Sequence, residues 1–346
     1  RSMRIAVACI GDAFVDVQVG GVQDLPVWGT DVVCSSVRML VGGSSANTAR
    51  NMAALGMGEL AVSFFSAVGG DELGSFFLRE LVQEGFLCNP RETIVQLDGV
   101  AQSSCVVLSG PADRAMVSCY SSVGRVALDL LQQTPLCANS CGADLEWRLL
   151  HIGGYFNCTG LHTPGMLELL ATLRGRGARV SLDPQHDASG QWAGVDGHLH
   201  QLLTLTDVFL PNEKEAIGVS GGAPNAEAAL DKMAKDFPTL LIVIKCGEVG
   251  AIAAIGERRW RCAAYAAELV DATGAGDAFS AGFLYSYVLA PTDVSGALRA
   301  GCAAGALAVQ SEGACSPPMQ SHGLANFTQA LPLPQVDEWT SECGSL

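Results

Sequence analysis

The sequence predicts an α/β fold: a doubly wound, mostly parallel sheet with helices on both faces, plus a small β-sheet lid. Three observations carry that expectation. Short apolar, β-branched runs recur along the chain: IAVACIG, LAVSFFSAVG, LLHIGG, ARVSLDP, DVFLPN and LLIVIKCG. They alternate with segments of helical spacing, such as TARNMAALG, GSFFLRELVQEG, GMLELLATLRGRG and NAEAALDKMAKDF. Continuous apolar strands between helices mark a parallel sheet buried on both faces. Third, residues 15–41 and 101–123 break the rhythm by alternating apolar and small polar residues, the pattern of strands wet on one face. These two stretches are expected to form a small antiparallel sheet, a discontinuous lid. That leaves 3–14, 42–100 and 124–330 for the α/β domain and 331–346 as a C-terminal tail. After about residue 317 the prolines Pro317, Pro318, Pro332 and Pro334 predict irregular chain with at most a short helix.

Composition bounds the function. The chain has 346 residues, 49% of them hydrophobic and 16% charged. That is enough to bury a large core and too oily for disorder. No apolar run approaches the roughly 20 residues that span a bilayer, so a membrane partner is not expected. The net charge is −15, with only four lysines. A long-range negative field repels phosphate backbones, which argues against a nucleic-acid partner. An acidic protein that handles an anion must do so locally, with backbone amides, a metal or a few placed cations. The 13 cysteines are scattered, with no C-x-x-C pair. Neither a disulfide framework nor a tight zinc site fits that spacing, so free thiols, mostly small core residues in a reducing cytosol, are expected. Met3 runs directly into RIAVACIG with no signal peptide, which also points to a cytoplasmic protein.

Ligand sites of doubly wound folds lie at the C-terminal ends of strands. In DATGAGDAFSAGF, residues 271–283, the small residues Gly274, Ala275 and Gly276 precede a helix, leaving free N–H groups where the helix dipole is positive. This is an anion hole built without lysine. A carboxylate at Asp277 would repel an anion, so it reads as a general base set where a hydroxyl meets that anion. In LPNEKEAIG, Asn212, Glu213 and Glu215 follow a strand, and their oxygens suit Mg²⁺; a plain helix start explains them too. Gly42 and Gly43 precede a helix containing Asn47, which offers a donor and an acceptor. Asp12 and Asp16 close the first strand, where a carboxylate can accept from adjacent hydroxyls or simply make a turn. Gly247 and Gly250 turn one strand into the next beside Lys245, which reads equally as a phosphate contact or a surface charge. No Gly-Lys dipeptide exists, so there is no Walker A loop. HRD and DFG are also absent. His151, His198 and His200 lack metal spacing and read as structural or exposed.

In order along the chain, these residues resemble the ribokinase-like (PfkB) family of carbohydrate kinases. DATGAGDAFSAGF is similar to its C-terminal signature, and VGGSSANTARNMAALG through VGGDELG to its N-terminal one. LPNEKEA resembles its N-x-x-E motif, and GDAFVD its substrate strand. The likeness runs from about residue 4 to 316. It implies ATP and Mg²⁺ as cofactors and a small sugar as acceptor: ribose, fructose or a 2-keto-3-deoxy sugar acid. By resemblance, Asp277 is the base and the amides of Gly274, Ala275 and Gly276 stabilise the transferred group. Asp16, Gly42, Gly43, Asn47 and Asp12 hold the sugar. Lys245, Gly247, Gly250 and Thr273 join Asn212, Gly274 and Gly276 around ATP. Asn212 and Glu215 orient Mg²⁺ through waters. Asp271 and Thr273, with carbonyls near Val309, Glu312 and Gly313, form a candidate K⁺ site. A lid of this kind excludes water and offers a surface for a homodimer.

Departures bear on the acceptor. Phe14 replaces an Asn of ribokinases, and Gly43-Ser44-Ser45 replaces their Gly-Lys-Gly. Arg114 and Tyr120 in the second lid stretch either reach the substrate or decorate the lid. Two other readings stay open: a nucleoside kinase with an aromatic slot at Phe14 and Trp28, and a non-catalytic sugar or nucleotide sensor.

Overall fold

The computed structural model describes residues 4–110, 114–138, 146–313 and 318–340. Its larger sheet comprises β1 (Ile5–Gly11), β4 (Leu60–Gly69), β5 (Ile94–Leu97), β8 (Trp147–Gly153), β9 (Arg179–Asp183), β10 (Val208–Phe209), β11 (Leu241–Lys245), β12 (Gly250–Ile255), β13 (Arg258–Ala263) and β14 (Val336–Thr340). The strand order is β14-β13-β12-β11-β10-β9-β8-β1-β4-β5. Every pairing from β5 across to β11 is parallel, and β12, β13 and β14 complete the edge antiparallel.

The apolar runs form strands because both of their faces are covered. In β1, Val7 and Cys9 enter one apolar layer while Ala6, Ala8 and Ile10 enter the other. The first layer is closed by helices Ser44–Leu55, Glu72–Leu81, Ala275–Leu289 and Val294–Ala308, through side chains such as Met52, Phe77, Phe283 and Leu298. Helices Pro164–Gly175, His198–Thr204 and Ala226–Asp236 close the second with Leu170, Leu202 and Met233. Each such side chain contributes roughly 1.5–3 kcal/mol on burial.

The second sheet contains β2 (Phe14–Gly20), β3 (Ser36–Gly42), β6 (Ser104–Ser109) and β7 (Arg114–Cys119), in the order β3-β2-β6-β7. It is mixed where an antiparallel sheet was expected. β2 and β6 run parallel because β6 follows a connection from β5, which itself runs parallel to the large sheet, and so arrives in the sense of β2. β3 and β7 flank them antiparallel.

The expected irregular tail is also corrected. Helix Ser321–Ala330 buries Leu324, and β14 then pairs along β13 from Cys262–Val336 to Arg258–Thr340. β14 covers backbone groups that β13 would otherwise expose at an edge, and Arg258 pairs with Glu338 across the two strands at 2.6 Å. The prolines end before the ladder begins.

Nine cysteines among the described residues are free thiols, four of them buried, but Cys88 is disulfide-bonded, contrary to the expectation of free thiols. Among the described residues no helix is long and apolar enough to cross a membrane.

Candidate active site

The C-terminal ends of β1, β8, β9, β10 and β11 converge on one side of the large sheet. The chain leaves β1 toward β4 on one flank and toward β8 on the other, so a crevice opens between them. Two helix N-termini point into it. Helix Ser44–Leu55 starts after Gly43, at φ 100°, and helix Ala275–Leu289 after Gly274, at φ 72°. A side chain at Gly43 would place its Cβ 2.6 Å from the Asp12 carbonyl oxygen. The turn into the second helix leaves N–H groups at the positive end of a macrodipole, a site for an anion, whereas at the first the Asp12 carboxylate already accepts from Ser45 N.

Asp277 lies between the two helices. Asn47 Nδ2 donates to its Oδ2 at 2.9 Å, the Ser44 hydroxyl donates to the same carboxylate, and Thr48 Oγ1 donates to its backbone oxygen at 3.3 Å. Burial pushes its pKa up to about 7, helped by the negative charge of Asp183 and opposed by Asn47 and Lys245. A carboxylate near neutrality is suited to accepting a proton from a hydroxyl at physiological pH. Beside it, Asn47 Oδ1 and Ser45 Oγ are buried with no partner among the described residues. Orphaned buried polar atoms of this kind call for a donor from a ligand.

Asp16 and Asp12 separate in role. Asp16 sits over Gly42, where a Cβ would lie 2.3 Å from Oδ2, and it accepts no hydrogen bond from the described residues. Burial and the charge of Asp12 push it up to about 7. Asp12 is committed internally: Oδ1 accepts from Ser45 N at 2.8 Å and Oδ2 from Asn157 Nδ2 at 2.9 Å. It anchors the helix start, with one N–H donor already on each oxygen.

Asn212 and Glu215 form a capping box: Asn212 N and Nδ2 donate to the two Glu215 oxygens, and Glu215 N donates to Asn212 Oδ1. The plain helix start is therefore realised, and the buried Glu215 carboxyl stands close enough to Lys245 and Asp183 to feel both charges. Each Glu215 oxygen keeps a second lone pair, which fits an ion reached through water. The described residues contain no group of three or more His, Cys, Asp or Glu that would cage a metal directly.

Lys245, Gly247, Gly250, Ala275 and Gly276 line a cavity of about 550 Å³ whose apolar walls include Tyr265, Phe279 and Val309. Glycines and apolar side chains lining one cavity of this size suit a nucleotide. Lys245 is buried against Asp183, and so is no surface charge. At the cavity rim Asp271 accepts from Thr273 N at 2.8 Å and Gly313 N at 3.0 Å, and the Val309 carbonyl accepts from Val270 N and Asp271 N. The structure thus gathers the candidate K⁺ residues, although N–H donors already occupy these oxygens. The Glu312 side chain pairs with Arg38 of the lid.

On the acceptor side, Tyr120 packs edge-on against Phe14, with ring centroids 5.4 Å apart. Trp28 is fully exposed and makes no slot with Phe14, so that expectation is corrected. The side chain of Arg114 lies outside the described residues. His151 and His198 are buried, bonded to Ser181 and Tyr155, and so structural. Sequence reasoning missed Asp183, Ser280, Gln185 and Asn157. The available signal was Asp183 at the end of the run ARVSLDP, a strand terminus on the ligand side.

A family model described as pfkB family carbohydrate kinase matches residues 4–321. The ATP-dependent 6-phosphofructokinase of Thermoanaerobacterium thermosaccharolyticum is 26% identical over 300 residues, covering 83% of this chain and 84% of its own. The fructokinase of Salmonella typhimurium is 29% identical over 281 residues, covering 79% and 87%. Among solved structures, a putative ribokinase II from E. coli in complex with ATP and Mg²⁺ superposes with a TM-score of 0.75 at 21% identity, over 95% of this chain and all of its own.

Proposed function

The chain belongs to the pfkB family of carbohydrate kinases, phosphotransferases with an alcohol group as acceptor, and from that premise we propose that it moves the γ-phosphate of ATP to a primary hydroxyl of a small sugar with Asp277 as general base. The observation that carries this reading is a buried carboxylate between two helix N-termini, beside the orphaned acceptor Asn47 Oδ1. One sugar hydroxyl donates to Asn47 Oδ1, and a neighbouring pair donates to the free carboxylate of Asp16. The reacting hydroxyl gives its proton to Asp277 as its oxygen attacks phosphorus. Amides of Gly274, Ala275 and Gly276 stabilise the charge spreading over the transferred group. Asn212 and Glu215 would hold Mg²⁺ through water, which would supply positive charge to offset that of the phosphates. A K⁺ ion at Asp271 would use lone pairs left beside the N–H bonds; equal rates in K⁺ and Na⁺ would exclude it.

The lid's faces differ in chemistry. Phe14, Asp16 and Gln18 share one face, while Val17, Val19, Val37, Met39 and Val117 share the other, with Val37, Met39 and Val117 largely exposed. This apolar outer face supports a homodimer through the lid. Solution scattering tests it; a monomer at tens of micromolar excludes it.

The functional test is ADP release from ATP and Mg²⁺ over ribose, fructose, 2-keto-3-deoxygluconate and adenosine. Turnover with a neutral sugar is expected. The Phe14–Tyr120 edge supports a nucleoside acceptor as the second reading, and turnover with adenosine alone would select it. Binding without turnover of any acceptor would favour the sensor.

A further inference from the structure

Lys245 is the only lysine buried among the described residues. It ends β11, and its Nζ lies 2.6 Å from Oδ2 of Asp183, which ends β9 and is itself wholly buried. Ser280, one turn along the helix from Asp277, donates to the same Asp183 oxygen at 2.9 Å and lies 3.5 Å from Nζ. A Cβ built on Gly276 would stand 3.7 Å from Nζ, so the ammonium lies directly against the amide-lined turn. Removing two charges from water costs several kcal/mol per ion, and an apolar pair usually fills such a site at less cost. The position of this pair, at the meeting point of anion hole and base, supplies a reason for it.

We infer that Lys245, fixed by Asp183, is a positioning residue of the transfer: its ammonium, held against the Gly276 turn that leads into Asp277, sets how much of Asp277 is ionised at neutral pH. The inference rests on the reading of Asp277 as the base. Around Asp277, helix Ser44–Leu55 contributes only the neutral donors Ser44 and Asn47, β11 contributes Lys245, and β9 contributes Asp183. Around Lys245 stand Asp183, Glu215 and Asp277, and beneath them His151, which burial holds down to about 4 and so keeps neutral. One cation therefore faces three carboxylates. Lys245 draws Asp277 toward its ionised form and Asp183 opposes it.

This arrangement makes two single substitutions act in opposite directions. Lys245→Met removes the attraction, so the acid limb of kcat/KM moves up by roughly one pH unit and turnover at pH 7 falls about fivefold. Asp183→Asn removes the repulsion, and the limb moves down. Lys245→Arg keeps the charge and returns the limb toward that of the unaltered enzyme. The double variant Lys245→Met, Asp183→Asn carries no buried orphan charge; it covers the case in which a single variant fails to fold, and its limb falls between the two. The measurement is the pH profile of each variant, with thermal melting to confirm the fold. Shifts in the same direction for the two single variants, or an unmoved limb in the folded double and single variants, would overturn the inference. An unaltered enzyme whose rate is indifferent to Asp277→Asn would instead remove the base, a distinguishable outcome.

Discussion

Asp277→Asn separates chemistry from binding in one side chain. The amide has the carboxylate's size, and its oxygen can still accept from Asn47 Nδ2, so the two helix N-termini keep their spacing. What it loses is the capacity to take a proton, and general-base catalysis is worth roughly 10²–10⁴ in rate. We expect kcat to fall by that factor while ATP affinity stays within about threefold of the unaltered protein. Stability should move the other way. Burial holds the folded Asp277 carboxyl up at about 7, against 3.8 for the free side chain. A carboxyl raised in this way favours the fold at low pH, loses that advantage between 3.8 and 7, and above 7 leaves an ionised group buried at full cost. Three pH units correspond to about 4 kcal/mol, taken as an upper figure. The variant should therefore melt higher at pH 8, on the order of 5 °C for a chain this long, with the gain shrinking toward pH 4. Coupled ADP-release kinetics, calorimetric ATP titration and melting curves at both pH values test the pair of effects. Turnover within tenfold of the unaltered enzyme would remove Asp277 as base. A melting gain that is the same at pH 4 and pH 8 would refute the burial argument.

Four further outcomes follow from the same geometry. Asp16→Asn should raise the acceptor KM about 10- to 100-fold and leave the ATP KM unchanged, since bonds to a charged group are worth about 1.5–3 kcal/mol; equal effects on both substrates would place Asp16 outside the sugar site. Because burial holds Asp16 near 7, acceptor affinity of the unaltered enzyme should weaken as pH falls below that value, visible in KM measured from pH 8 to 5.5. Glu215→Gln should raise the Mg²⁺ concentration for half-maximal rate about tenfold and remove about 1 kcal/mol of helix capping, read from Mg²⁺ titrations and urea unfolding. Gly250→Ala puts a Cβ 2.1 Å from the Cys262 carbonyl at φ 113°, so unfolding should cost at least about 2 kcal/mol less and the nucleotide cavity should distort.

What the sequence made legible was what neighbouring residues determine. β1, β4 and β11 are buried on both faces, so their burial is written as unbroken apolar runs. The turn before helix Ala275–Leu289 is equally local: an αL glycine, two small residues and a carboxylate within four positions. The parallel pairing of β2 with β6 was not local, since it joins residues nearly ninety apart and leaves the alternation of each strand unchanged. β14 was hidden for a related reason, because an edge strand is specified by the strand it covers and VDEWT has little apolar content of its own. Asp183 was missed because its partner is 62 residues away, and only the adjacency of β9, β10 and β11 brings them together. Asp12 and Asp16 looked equivalent in GDAFVD. Three-dimensional context separates them, giving one carboxylate two N–H partners and the other none.

The acidity of the chain acquires a physical meaning at this site. With a net charge of −15, the long-range field opposes the approach of a nucleotide, so attraction has to be supplied within a few ångströms of the phosphates. The N-terminus of helix Ala275–Leu289 would supply it with partial charges that cannot be titrated away. A full cation in the same place would bind the anion more tightly in the ground state and, left unpaired, would also hold Asp277 permanently ionised and ion-paired, weakening it as a base. Lys245 avoids both by being paired with Asp183, so that its charge is felt only as a difference. The carboxylates Asp16, Glu215 and Asp277 are each held near 7 by burial. A site balanced in this way responds strongly to small changes in charge, and the arrival of a nucleotide with its divalent ion is such a change.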